Sequence, residues 1–427
     1  TRQFLEKLYG GMVQKYYPDG LEYFHIELDE VWPTYPHPDD ALKKESPWCC
    51  CPTCQGREQG QLFLDHLLWL VEMLCRQGVG KVVFWNDQLT RHDQLLDQKF
   101  AQRLQDAGLL DRVVMHWWWY DNHKMDPGIH PKQALKLGLK ENWVAPMTCY
   151  FNWSTYNYQR PNIEKMLHLA ESEGATGAVS YSVHDPSHLD HEALLGVYAW
   201  ESPGQAGKID AVQKRWSESS FGPQAGLYVE AVDLLAEVSQ LPCFDLCRQY
   251  RYCYSGEGLP EWPRPYPQAA LDKLAELPQK NIPTVLRKAA EDAGKAAAIF
   301  ATMLQDKGLK VLLRNALMSL LADAVRAQAL SELFAWLLDT RGKIAAAAIS
   351  QQTVEECTQA RNRLREQMKI FDANKPTWVS PASLQPFSYL LLFLDQLNQQ
   401  LNSQTGKKAG KKILWTLPQN WQIPENF

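Results

Sequence analysis

The sequence predicts a parallel α/β sheet covered by helices over its first half and an all-α domain over its second. Three observations carry that division. Strand-like apolar runs alternate with amphipathic helical stretches from Thr1 to about Glu201. Most of those runs are continuously apolar, as strands buried on both faces are. Beyond about Pro203 the chain turns into long Ala/Leu-rich segments of helical period. The two domains are therefore expected at 1–205 and 206–427.

The elements follow in order. "TRQFLEKLYGGMVQKYY" spaces its apolar residues as a helix does. A first strand over 23–29 places Phe24, Ile26 and Leu28 between polar neighbours and runs into two adjacent carboxylates, Asp29 and Glu30. The helix "GQLFLDHLLWLVEMLCRQG" leads to a second strand, "KVVFWND", over 81–87. A helix over about 93–107 precedes a third strand, "RVVMHWWWY", over 112–120. A short helix near 131–138 and a strand "WVAPMTCYF" over 143–151 come next. A helix over about 161–173 and a strand "GAVSYSV" over 177–183 complete five repeats, and another helix starts near 190. In the second half, "VEAVDLLAEVSQL", "IPTVLRKAAEDAGKAAAIFATMLQDKG" and "LKVLLRNALMSLLADAVRAQALSELFAWLLDTRG" are helical, with a Pro-rich turn region over 255–267.

Composition narrows the function. A net charge of -5 gives no reason to expect a nucleic-acid partner. No run reaches the ~18 apolar residues of a membrane helix. The ten cysteines include the run Cys49-Cys50-Cys51, which suits reduced thiols and a cytoplasmic setting better than a disulfide framework. Cys51-Pro-Thr-Cys54 has the spacing of a metal knuckle but supplies half of a structural zinc's ligands. Free thiols are the first reading there, and a zinc completed by Cys49, Cys50 or His37 the alternative. The 16 Trp and 17 Tyr serve cores first, and they also offer rings on which flat apolar faces of sugars stack.

Polar and aromatic residues collect at the C-terminal ends of the strands: Asp29-Glu30, Trp85-Asn86-Asp87, Trp118 to Asp121, Tyr150 to Trp153, and Tyr181 to Asp185. In a parallel sheet that edge carries the chemistry. Carboxylates among aromatics point to glycoside hydrolysis. Neighbours on one strand cannot easily flank a sugar ring as nucleophile and acid. They suit a substrate whose own 2-acetamido oxygen attacks the anomeric carbon, one carboxylate orienting the amide and the other acting as general acid. Against this stand plainer readings: Asp29-Glu30 as a helix cap and a solvated charge, and Asp87 as a cap. Alternation sends Trp118 to the side opposite Trp117 and Trp119, so at least one of the three is core. His25 is expected inside, hydrogen-bonded.

"HIELDEV", His25 to Val31, resembles the fourth-strand motif His-Ile-Gly-x-Asp-Glu-Val of family 20 glycoside hydrolases, the exo-β-N-acetylhexosaminidases, and within them the hexosaminidase D group. "VVFWNDQL", Trp118-Trp119-Tyr120 and "GAVSYSVHD" resemble that family's fifth, sixth and eighth strands. The resemblance implies a (β/α)8 TIM-type barrel, of which this chain holds the later strands, followed by an all-α domain. It implies hydrolysis of terminal GlcNAc or GalNAc with retention and no cofactor. Asp29 would orient the acetamido group, Glu30 would be the general acid/base, and Tyr120 would bond the acetamido oxygen. Trp85, Trp118 and Trp153 would line the sugar pocket, with Asp87 and Asp185 also touching substrate. The expected partners are N-acetylhexosamine-containing glycans, without nucleic acid or membrane. The motif glycine is Glu27 here, and Tyr181 stands where many relatives carry Trp. A barrel lacking its first three strands is expected to have open edges and an unfilled interior. Two other classes remain as alternatives: a degenerate sugar-binding protein, and a helical scaffold that homodimerises or docks a partner through its Ala-rich half.

Overall fold

A computed structural model describes residues 2–29, 51–92, 94–121, 128–148, 156, 158–180, 186–201, 204, 207–248, 266–346, 348–375, 385–406 and 413–417. The chain forms two compact units. Unit 1 comprises Thr1–Thr148, Gln159–Tyr181 and Leu194–Ile209; unit 2 comprises Cys149–Tyr158, Ser182–Ala193 and Asp210–Phe427.

In unit 1, helix α1 (Arg2–Tyr16) precedes strand β1 (Leu21–His25), and α2 (Gln59–Arg76) precedes β2 (Val79–Trp85). Then come α3 (Gln98–Asp106), β3 (Val113–Trp118), α4 (Pro131–Lys136), β4 (Asn142–Ala145), α5 (Arg160–Glu173) and β5 (Gly177–Ala178). The five strands lie in the order β1-β2-β3-β4-β5, each parallel to its neighbour in sequence. Successive βα units lie in this order around a barrel, whereas a doubly wound sheet reverses its order at a switch point.

The sheet is also curled. Tyr23 on β1 and Trp143 on β4 bring their ring centroids within 4.8 Å, although three strand spacings of roughly 4.8 Å each would part them in a flat sheet. The result is a half-barrel. Its concave face is not the empty space expected of a partial barrel: Tyr23, His25, Trp85, His116 and Trp143 meet ring to ring there. Large side chains from β1 to β4 thus occupy the room that missing strands would otherwise leave.

The convex face is covered by helices. α2 packs on β2 and buries Phe63, Leu64, Leu67, Leu70, Val71 and Leu74, an apolar stripe of helical period. Asp97 caps α3 by accepting from the Phe100 N–H at 2.8 Å. That helix starts later than the pattern near residue 93 suggests, because a π-helical turn, Gln88–His92, comes first. α5 ends on Gly174, whose left-handed φ of +76° costs glycine nothing. Strand β1 stops at His25 instead of continuing to residue 29, since Glu27 and Leu28 both turn to positive φ, +61° and +67°.

Helix α6 (Leu189–Glu201) leads on to unit 2, in which α7 (Ile209–Phe221), α8 (Ala225–Ser239), α9 (Pro242–Arg248) and α10 (Gln268–Glu276) precede the long helices. Those are α11 (Ile282–Met303), α12 (Val311–Ala346), α13 (Gln351–Asn374) and α14 (Gln385–Ser403). α12 is the axis, packed against α11 and α13. α11 turns Ala289, Ala293, Ala296 and Phe300 inward, and such small residues let helix backbones approach closely. α12 holds a buried ion pair, Asp323 to Arg326 at 2.7 Å, with the guanidinium 5.3 Å from the Phe371 ring. The short turn Pro186–His188 also rests on α12. Beside it, the Tyr156 hydroxyl meets His191 Nε2 at 3.1 Å, and the Tyr156 ring stacks on His188. Among the described residues no helix is long and apolar enough to cross a membrane.

Candidate functional site

Strand register builds the site. His25 pairs with Val83, Trp85 with His116, and Trp118 with Ala145. The residues just beyond therefore share one edge of the half-barrel: Glu27 and Asp29 from β1, Trp85 and Asp87 from β2, Trp118 and Tyr120 from β3. Asp29 is half-buried there. Glu30, Trp153 and Asp185 lie outside the described residues, as do Tyr181, His184, His37, Cys49 and Cys50.

Asp87 is fully buried, and its carboxylate accepts from the Trp118 indole N–H at 3.1 Å. The Asn86 side-chain oxygen accepts from the Trp118 backbone N–H, also at 3.1 Å. The two residues that follow β2 thus fix one tryptophan of β3. Trp118 is half-buried and lies 4.9 Å from Tyr120, ring to ring. Trp117 faces the other way, fully buried, its indole N–H on the side chain of Asn142 at 3.0 Å. This is the alternation expected of the Trp triplet.

Beneath the edge runs a chain of hydrogen bonds whose direction can be read from its ends. The Glu27 backbone N–H donates to His25 Nδ1 at 3.0 Å, so that nitrogen carries no proton. His25 Nε2 then donates to His116 Nδ1 at 3.0 Å, and His116 Nε2 donates to the Val179 carbonyl at 3.0 Å. Both imidazoles are neutral with the proton on Nε2. Burial holds them so: it lowers the pKa of His25, against the pull of Glu27, and takes His116 down to about 3, with His25 adding to the fall. The chain spans from β1 to the residue after β5, and only the curl of the sheet lets it do so.

Glu27 closes the upper end. Its backbone carbonyl accepts from the Trp85 N–H at 3.1 Å, and its carboxylate accepts from the Trp85 indole N–H at 2.6 Å. Trp85 in turn stacks on His116, with centroids 4.3 Å apart and planes 15° from parallel. Asn162, in the first turn of α5, links two strand ends, donating to the Trp119 carbonyl at 2.7 Å and accepting from the Met147 N–H at 2.9 Å.

Reading the residues alone did not single out His116 or Asn162. The signal for His116 was a lone polar residue within the buried run "VVMHWW"; Asn162 offered only a polar residue after Arg160-Pro161 at a helix start. Among the described residues, no three His, Cys, Asp or Glu side chains are grouped to hold a metal. Cys54 turns back so that its N–H donates to the Cys51 carbonyl at 2.9 Å. An open cleft of about 440 Å³ lies at the opposite end of the strands, among Lys81, Asp111, Lys140, Glu141 and Thr176. Its lysines are paired, Lys81 with Glu141 and Lys140 with Asp111, and it holds none of the strand-end residues.

No family model matches the chain, and no curated protein matches it. Among solved structures it is similar to a GH138 enzyme targeting pectin rhamnogalacturonan II, at 12% identity and a TM-score of 0.43, over 80% of this chain and 52% of that one. The chain thus spans about half the length of that neighbour. A likeness at this level says nothing about chemistry.

Proposed function

We propose that the half-barrel carries the site of an exo-β-N-acetylhexosaminidase, releasing terminal non-reducing GlcNAc or GalNAc with retention. The observation that supports this reading is the register that brings Asp29, within the "HIELDEV" segment, to the same edge as Trp118 and Tyr120. In the first step the substrate's acetamido oxygen bonds to the anomeric carbon as the glycosidic C–O bond breaks. Glu30 gives its proton to the leaving oxygen. Asp29 accepts the acetamido N–H and balances the positive charge of the oxazolinium, while the Tyr120 hydroxyl donates to the acetamido oxygen. In the second step water attacks the anomeric carbon, Glu30 takes its proton, and the acetamido group is restored. Two inversions leave the configuration retained.

The test is release of p-nitrophenol from the β-GlcNAc and β-GalNAc glycosides. Glu30→Gln is expected to lower turnover by roughly 10²–10⁴-fold, the usual worth of a general acid/base, and Asp29→Asn to lower it while the substrate still binds. Turnover that survives Glu30→Gln would overturn the assignment. Binding of N-acetylhexosamine without any turnover would make the site a sugar-binding one.

A further inference from the structure

We infer that Asn162 is a positioning residue for the reaction: its buried side-chain amide stands between the ends of β3 and β4 and fixes Tyr120, so that the phenol is held where the acetamido oxygen must come. This role rests on the hexosaminidase reading and adds to it a residue that never meets the sugar.

Tyr120 lies where the sheet has stopped holding the chain. The ladder between β3 and β4 runs as far as Trp118 and Ala145, and Trp119, Tyr120 and Asp121 continue beyond it. Past the last rung a chain keeps its aim only if other bonds replace the ladder. On the β4 side, Pro146 has no N–H to give, and the Met147 N–H goes to Asn162 Oδ1 at 2.9 Å. On the β3 side, Asn162 Nδ2 donates to the Trp119 carbonyl at 2.7 Å and to the Asp121 carbonyl at 3.4 Å. Those carbonyls belong to the residues on either side of Tyr120.

A side-chain amide carries the same kinds of donor and acceptor as a peptide. Asn162 therefore continues the β3–β4 ladder by proxy, with its own width inserted between the strands. The strand ends are parted where the site opens, and the backbone of Tyr120 is held through both of its neighbours.

The clamp is itself rigid. Asn162 sits in the first turn of α5, which Arg160-Pro161 begins, and its N–H donates to the Gln159 carbonyl at 3.0 Å. A group carried on a helix is placed more sharply than one on a loop. Asn162 is 0% exposed, so it acts through Tyr120 and not on the substrate. The Tyr120 ring has a second support in Trp118, at 4.9 Å, which Asp87 and Asn86 hold in turn. Backbone and ring are thus fixed from different directions, as a hydroxyl aimed at a developing charge requires.

The experiment follows p-nitrophenyl β-GlcNAc hydrolysis by the full chain and by Asn162→Ala, Asn162→Asp and Tyr120→Phe, with each Asn162 variant also combined with Tyr120→Phe, and records every melting temperature. Asn162→Ala is expected to lower kcat by about tenfold while KM moves by less than about threefold, because an aim lost at the acetamido group is felt chiefly in the transition state. Each double variant is expected to be no slower than Tyr120→Phe alone. Asn162→Asp keeps the shape and the Met147 bond, and when ionised it loses both donations to the flanking carbonyls. Burial against those carbonyls favours its acid form, which donates as the amide did. Its kcat relative to the unaltered chain is therefore expected to rise as pH falls, a readout that stands even where Asn162→Ala folds poorly. Additive losses in the double variants, an unchanged kcat in folded Asn162→Ala, or a pH-independent ratio in Asn162→Asp would overturn this inference and leave the hexosaminidase reading standing. No turnover by the unaltered chain would overturn both.

Discussion

The concave face of the half-barrel and the core of the helical unit are both filled with side chains, and they are made of opposite materials. In the helical unit, alanines of α11 and leucines of α12 fill volume without a polar atom to satisfy, and the ion pair Asp323–Arg326 is among the few polar groups that interrupt them, with Asp292, Ser319, Ser331 and Thr340. In the half-barrel, five rings and a directed hydrogen-bond chain do the filling. Apolar packing responds to a lost volume. A hydrogen-bonded interior responds to a lost partner or an added proton, and in return it fixes each ring's orientation up to the strand ends where chemistry is placed.

That contrast can be broken at either end. The largest effect is expected from Phe334→Ala in α12, a fully buried ring, at about 3–5 kcal/mol of stability by denaturant titration. A loss under ~1 kcal/mol would mean that the helical core is looser than its burial implies. Next comes His116→Leu, which keeps most of the volume but strands the His25 Nε2 proton and the Val179 carbonyl. Each orphaned group is worth about 1–3 kcal/mol. If this variant proved neutral, the relay would be ornament and the rings alone would hold the interior.

The smallest effect per step is expected from a change of one pH unit, and its sign is fixed by the direction of the shifts. Both histidines are lowered in the fold, so above pH 6.5 neither state takes up their protons and stability is full. As pH falls below 6.5 the unfolded chain binds protons that the fold refuses, and stability is lost progressively toward His116's folded value of about 3. One refused proton is worth at most about 1.4 kcal/mol per pH unit. The slope should vanish in His116→Leu once the His25 contribution is subtracted with His25→Gln. A slope that persisted in both would assign the effect to other groups.

The two regions also differed in how much their sequences disclosed. The α11 face was legible because Ala289, Ala293, Ala296 and Phe300 recur at helical period, a local property of the chain. The parallel order of the strands was legible from the βα repeat for the same reason. The end of β1 was not. Nothing local in Glu27 or Leu28 announces a positive φ; the glycine of the resembling motif was the one hint, and its meaning emerges only from the contacts with Trp85. The His25–His116 bond was equally hidden, since it joins residues 91 positions apart across a curl that no single strand encodes. The burial of Asp87 was hidden for the same reason. Its burial depends on where Trp118 comes to lie, which is a property of the neighbouring strand.

The assignment of residues 149–158 and 182–193 to the helical unit bears on the order of synthesis. Pro186–His188 comes to rest on α12, a helix spanning Val311–Ala346. As the chain leaves the ribosome, the strands of the half-barrel are complete well before that support exists. The turn Pro186–His188 must wait for it until residues from far downstream emerge. A ribosome that stalls before residue 311 would therefore hold the turn Pro186–His188 without the helix on which it rests, a predictable point of need for a chaperone.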